Sequence, residues 1–225
     1  MALLGKGAVA MWWDIAPEHR AEFEDWHSHE HFPERMSIPG FLRGSRWAAA
    51  NGGDGFFVMY ELDACETLVS DGYLKRLNAP TPWSTKMMPH HRNMVRSQCR
   101  VLESRGGALA RHALTVRLSP ADGARLRETL RDLAKTLASR PGTTAGHLLE
   151  TQTPKIAATT EQKIRGLADA VADWIFVACG YDRGALEHLA QTELGDDALN
   201  SAGAEAGAIR GLYGLSHTNT AGDIG

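Results

Sequence analysis

Ala8-Val9-Ala10-Met11-Trp12-Trp13 and Phe56-Phe57-Val58-Met59-Tyr60 are apolar at every position rather than at every second one. Strands of this kind bury both faces, so the sheet that carries them must be covered on both sides. Working outward, apolar spacing and turn residues predict strand 6–14, helix 17–32, strand 40–50, strand 55–63, helix 64–77 and strand 93–103. The same order then returns as strand 110–118, helix 120–139, strand 144–151, strand 173–181, helix 182–193 and strand 211–220. In a single βαββαβ unit the helices cover one face of the sheet, and a tandem copy covers the other.

Three local matches, in the same order, support a duplication. Ile15-Ala16-Pro17 matches Leu118-Ser119-Pro120, Pro39-Gly40 matches Pro141-Gly142, and Val58 through Leu68 resembles Val177 through Leu189. The expected class is therefore α+β, with two tandem βαββαβ units of ferredoxin-like order whose antiparallel sheets pack into an intrachain α+β barrel. Residues 1–106 form one half and residues 107–225 the other.

With 225 residues, 43% of them hydrophobic and 23% charged, the chain has ample material for a core. A net charge of -3 and a pI near 6.4 give no basic footprint for nucleic acid or an anionic membrane. Met1-Ala2-Leu3-Leu4-Gly5-Lys6 leads into an apolar segment too short for a span or a signal peptide, so a cytoplasmic location is expected. Cys65, Cys99 and Cys179 are few, distant and odd in number, which suits reduced thiols.

Chemistry concentrates in Trp26-His27-Ser28-His29-Glu30-His31-Phe32-Pro33-Glu34-Arg35. Pro17 fits a first helical turn. On a wheel of about 100° per residue, Phe23 and Trp26 define an apolar stripe, with Glu30 between them and His27 and Glu34 beside Phe23. His31 lies slightly further round, and His29 faces the polar side. A carboxylate in a buried stripe is costly unless paired, which marks either a functional site or a buried ion pair. On a purely structural reading, Glu30 and Glu34 pair with Arg35, Arg43 or Arg46 while His27 and His31 edge the core. Pro33 is expected to kink or end the helix near residue 32.

With Pro17 over Pro120, the positions of Phe23, His27, Glu30 and Glu34 fall on Leu126, Leu130, Leu133 and Leu137. That contrast assigns a single asymmetric site to the first half and a scaffold role to the second. A proline-punctuated connection, Asn78 to Arg92, adds Trp83, His90, His91 and Arg92 as candidate ligand contacts. The strands add Arg43, Arg46, Tyr60 and Arg96, with Arg46 and Tyr60 expected to aim their polar ends into a cavity or buried network. Thr159 to Leu167 is expected to form a short helix or mobile flap, Gly195 to Gly211 shows no chemistry, and the tail after Ala221 is expected to fray.

Trp26-His27-x-x-Glu30-His31-x-Pro33-Glu34-Arg35, followed by Pro39-Gly40-Phe41, Arg43-x-x-Arg46 and Pro80-Thr81-Pro82-Trp83, resembles bacterial dimeric α+β barrel proteins, especially their EthD-like branch. The resemblance covers about residues 8–103, and the second half matches by fold pattern only. It implies ferredoxin-like units paired into a barrel, here within one chain. The superfamily spans isomerases, cyclases, cofactor-free monooxygenases, haem-handling enzymes and proteins without known activity, so membership does not specify a reaction.

The leading expectation is an enzyme that needs no cofactor and acts by acid–base chemistry on an aromatic or lactone-like small molecule, as an isomerase, cyclase or lyase or in a monooxygenase-like reaction. His27 moves a proton, Glu30 and His31 assist, and Arg46 with Tyr60 holds an oxyanion or carboxylate; Trp26, Arg43, Trp83, His90 and His91 contact substrate. Two alternatives stand beside it. One is a metal- or haem-dependent enzyme using His27 and His31, spaced i, i+4, with Glu30, although this is not the HExxH pattern. The other is a non-catalytic binding or pathway-accessory protein. Small molecules are the expected partners, with an intrachain pseudo-dimer and further oligomerisation left open.

Overall fold

The computed structural model describes residues 3–107, 109–152, 154, 157–166 and 169–224. Leu167, which ends the expected flap, and the terminal residues Met1, Ala2 and Gly225 lie outside them. The strands are β1 (Gly7–Asp14), β2 (Phe41–Ala49), β3 (Gly55–Leu62), β4 (Arg92–Gly106), β5 (His112–Leu118), β6 (Thr143–Thr151), β7 (Trp174–Gly180) and β8 (Ile209–Thr220). They close into a barrel in the order β1-β3-β2-β8-β5-β7-β6-β4, with β4 returning to β1 and every neighbouring pair antiparallel. The first four strands thus run β4-β1-β3-β2 and the last four β8-β5-β7-β6. β4 and β8 stitch the two sets together. β4 pairs with β1 through Arg92–Arg100 and with β6 through Cys99–Gly106.

The doubly apolar strands have the two-sided burial that their sequence demands. Ala8, Ala10, Trp12, Phe57 and Met59 point into the barrel and meet Trp47, Ile175 and Val177. Val9, Met11, Trp13, Phe56, Val58 and Tyr60 point outward beneath helices α1 (Pro17–Trp26) and α2 (Phe32–Met36), against Phe23, Trp26 and Phe32. On the opposite side, Leu126, Leu130 and Leu137 of α5 (Gly123–Leu137) cover Val116 and Phe176.

The expected helix 17–32 is interrupted. Between α1 and α2, His27–His31 form one π-helical turn, and the Phe32 N–H donates to the His27 carbonyl five residues back. Pro33 brings no N–H of its own, and the chain continues as α2 to Met36 rather than ending near residue 32. The wider turn changes which residues face inward. His27, His31, Phe32 and Arg35 are buried, and the Glu34 side chain is 8% exposed, whereas Glu30 is only half-buried.

Two glycines set how closely α2 and α5 approach the barrel. A Cβ on Gly44 of β2 would lie 2.3 Å from the Phe32 ring, and one on Gly146 of β6 would lie 2.7 Å from the Ala134 Cα. Each strand is preceded by a left-handed glycine, Gly40 at φ 93° and Gly142 at φ 87°.

The connection after Asn78 is ordered. α3 (Asp71–Asn78) gives way to α4 (Pro82–Met87) and a short 3-10 turn, Met88–His90. Between β6 and β7 lies α6 (Thr160–Arg165), capped by Thr159 and tied to the end of α3 by Thr160 N–H donating to Asn78 Oδ1 at 3.0 Å. α7 (Arg183–Gln191) and α8 (Asp196–Ala202) complete the fold, α8 lying within the glycine-rich segment, and a 3-10 turn at Ala221–Asp223 orders the expected frayed tail. Among the described residues no helix is long and apolar enough to cross a membrane.

Candidate functional site

The π turn, the outer face of the β1–β3 sheet and α6 enclose a cavity of about 50 Å³. It lies between helices and sheet, outside the barrel interior. Trp13, Trp26, Met11, Met88 and Phe41 supply apolar walls, and His27, His31, His91, Tyr60, Arg35, Arg96, Glu161 and Arg165 supply polar groups. Such a mixture of aromatic wall and a few convergent polar atoms is the usual constitution of a small-molecule site.

Three of the histidines expected from sequence therefore meet here. The rings of His27 and His31 are 5.3 Å apart between centroids, and Trp13 lies 5.8 Å from His27 and 5.0 Å from His91. Burial holds His27 well below the ordinary imidazole range, with the nearby His31 and Arg46 adding to the effect. His31 is lowered in the same way by burial and then by Arg35. His91 is pushed down to about 3 by burial and then Arg165. All three are neutral at pH 7. The Nδ1 of His91 faces the Met88 carbonyl at 3.1 Å, a pairing that makes Nδ1 the donor and leaves Nε2 as acceptor.

Several buried polar atoms on the cavity wall have no hydrogen-bond partner: His27 Nδ1, His31 Nδ1, Trp13 Nε1 and the Tyr60 hydroxyl. Burial also pushes the Tyr60 phenol up, so it stays protonated and available as a donor. Unsatisfied groups of this kind are few in folded proteins; these four belong to residues lining the cavity, while others, among them Trp47 Nε1 and His147 Nε2, lie elsewhere in the molecule.

Other expected site residues lie elsewhere. Glu30 is turned away by the π turn and accepts from Trp26 Nε1 at 3.1 Å, Thr81 Oγ1 at 2.5 Å and Ser84 Oγ at 3.3 Å. It fixes the Trp26 indole, which is itself part of the wall, and ties α4 to the π turn. Arg46 sits over the Phe23 ring and donates to the Glu24 carbonyl, Ser28 Oγ and Ser216 Oγ, so it belongs to a network bracing α1. Arg43 has the opposite strand parity and grips Glu61 with two hydrogen bonds, at 2.7 and 2.9 Å. Trp83 donates to Glu22, and His90 stacks on His19 at 3.7 Å, both outside the cavity. Arg92 pairs with Asp54 on the surface.

The sequence reading also left out residues that the structure brings in. Arg35 is buried and pairs with Glu161 of α6, from the other half of the chain, at 2.5 Å. Glu34 bridges Arg35 at 3.5 Å and Arg76 at 3.4 Å, as the structural reading of that carboxylate anticipated for Arg35. Among the described residues, no group of three or more His, Cys, Asp or Glu side chains converges in a way that could hold a metal ion, and Glu30 does not join His27 and His31.

The chain is similar to an anthrone oxidase-like protein, with TM-score 0.64 at 13% identity over 97% of this chain and 94% of that one. It is similar to a protein of Fusobacterium nucleatum provisionally described as a monooxygenase, with TM-score 0.60 at 8% identity over 97% and 96% of the two chains. A Lactobacillus acidophilus protein of the same description aligns with TM-score 0.58 at 11% identity over 96% and 97%. No protein-family model matches the chain, and no curated protein does. These likenesses establish the fold as a ferredoxin-like α+β barrel.

Proposed function

We propose that the helix–sheet cavity is the active site of a small-molecule enzyme that transfers protons on an aromatic or lactone-like substrate. The observation that carries this reading is the convergence of neutral His27, His31 and His91 with an unpartnered Tyr60 hydroxyl inside one aromatic-walled cavity. His27 takes the proton, and the charge it gains is offset by the anion formed beside it, which cancels part of the burial cost that keeps it neutral at rest. Tyr60 donates to the oxygen where negative charge develops. His31, rather than Glu30, is the neighbour that shares the site with His27. Trp13 and Trp26 hold the ring, and the proton transfer draws on side chains alone. Isomerisation, cyclisation and elimination all begin with such a step.

The tandem arrangement belongs to the same reading. Matching strand orders and the paired Gly40/Gly142 and Gly44/Gly146 positions support two βαββαβ units, residues 1–106 and 107–225, forming a pseudo-dimer within one chain. The run from Trp26 to Arg35 supports a place in the EthD-like branch.

Phenylpyruvate, a carbon acid attached to an aromatic ring, tests the proposal. In D₂O the protein should accelerate exchange of its benzylic hydrogens, and His27→Ala should lower that acceleration by roughly 10²-fold or more. Equal exchange by parent and variant would overturn the reading. Quenching of Trp13 and Trp26 fluorescence without exchange would favour the binding-protein alternative.

A further inference from the structure

Three guanidinium groups line the cavity, and their partners differ. Arg35 has Glu161 and Glu34; Arg165 has Asp169 at 2.9 Å and Glu161 at 3.9 Å. Arg96 has no carboxylate partner among the described residues. Its Nη2 donates to the Tyr73 hydroxyl at 2.6 Å. With the Gln98 amide oxygen turned toward it, Nη2 and Nη1 also donate to that oxygen at 2.9 and 3.0 Å.

This is an arrangement that orients a cation without neutralising it. A guanidinium has five N–H donors, and these neutral acceptors occupy only some of them, leaving others for a ligand. The Tyr73 hydroxyl accepts from Arg96 and so has its own proton to give. Arg96 is fixed in place from the backbone as well: its N–H donates to the Ala170 carbonyl, and Ala170 N–H donates to the Met94 carbonyl. Of the four charged lining residues, three are arginines and one is Glu161. In a site walled by Trp13, Trp26 and Phe41, an uncompensated cation attracts an anion strongly, because little water screens it.

We propose that Arg96, with Tyr73 and Gln98 behind it, is a carboxylate-recognition subsite and that the substrate of this cavity is an aromatic acid. The inference rests on the cavity being the ligand site proposed above, and it adds the class of ligand. The carboxylate pairs with Arg96 and the Tyr73 hydroxyl while the ring lies among the indoles. Arg96 is here a binding residue, not the base.

Benzoate and benzamide, nearly identical in shape but different in charge, test it by titration against intrinsic tryptophan fluorescence. Parent protein should prefer benzoate by roughly tenfold or more, the difference a charge-assisted pair supplies. Arg96→Gln should abolish the preference while leaving benzamide affinity unchanged, and Arg96→Lys should retain part of it. Arg165→Gln, which removes a guanidinium already paired to Asp169, should keep the preference. Equal affinity of the parent for the two ligands would overturn the subsite, a result that needs no variant to fold. So would a preference that survives Arg96→Gln. Because His27→Ala should keep the preference for benzoate, loss of proton exchange and loss of anion recognition fail separately.

Discussion

Arg35 and Glu161 lie 126 positions apart and pair at 2.5 Å, each side chain 4% exposed. Arg35 follows the π turn, and Glu161 sits on the short helix between β6 and β7, so the pair fastens α6 over the cavity. Removing one partner strands a buried charge, a loss of about 3 kcal/mol in a typical case. Glu34, 3.5 Å from Arg35, offsets part of that loss. Glu161→Gln should therefore lower unfolding free energy in urea by about 2 kcal/mol and speed ligand exchange. Replacing both partners with methionine should cost less than Glu161→Gln alone. A single variant as stable as the parent would show that the pair does not hold α6 down.

Tyr60→Phe separates function from folding. The hydroxyl is buried without a partner, a state that costs about 1–3 kcal/mol. Removing it should raise stability by about 1 kcal/mol, seen as a higher urea midpoint, while reducing the exchange rate on phenylpyruvate by roughly tenfold. Loss of stability would instead mean that the hydroxyl has a structural partner.

Gly44 is where the π turn presses on the barrel. A Cβ there would meet Phe32 at 2.3 Å and Tyr60 at 2.8 Å, so Gly44→Ala must displace the residue that ends the turn. The expected cost is about 2–3 kcal/mol, together with weaker ligand binding because Tyr60 moves. Gly146→Ala meets the Ala134 backbone at 2.7 Å and should cost a similar amount with no effect on binding. If both variants affect binding equally, Gly44 has no special link to the site.

The fold was legible because period-two and helical spacing are local, and Ala8 to Trp13 states outright that both faces of its strand are buried. The site was legible only in part. His27, His31 and Tyr60 follow from position on their elements, but the π turn adds a rotation that no α-helical wheel contains, turning Glu30 toward α4 and bringing Arg35 inward. Pro33 was the available signal: a residue without an N–H in mid-helix must be accommodated by a break or a wider turn. Arg43 and Arg46 lie three apart on one strand and so face opposite sides, a parity that distinguishes the barrel interior from the helix layer. The placement of Glu161 and Arg165 against Arg35 is a long-range contact with no periodic trace in sequence.

The buried histidines also set the acid response. In the unfolded chain each titrates near 6.5. In the fold His91 is lowered to about 3 and His147, which shares a hydrogen bond with Ser104, to about 4, both chiefly by burial; His27 and His31 are lowered as well. A depressed histidine pKa means that the unfolded state binds more protons below pH 6.5, so stability falls as pH drops from 6.5 toward the folded values and is unaffected by these groups above it. His91 and His147 each contribute a slope of about 1 kcal/mol per unit between pH 6 and 5. His91→Gln should flatten the pH dependence of urea unfolding by that amount, and an unchanged slope would mean that His91 is solvated. Proton exchange should show the complementary behaviour. With His27 neutral throughout, its rate should stay level from pH 8 to 6, whereas a rate that halves near pH 6.5 would place an ordinary, water-exposed imidazole in the reaction.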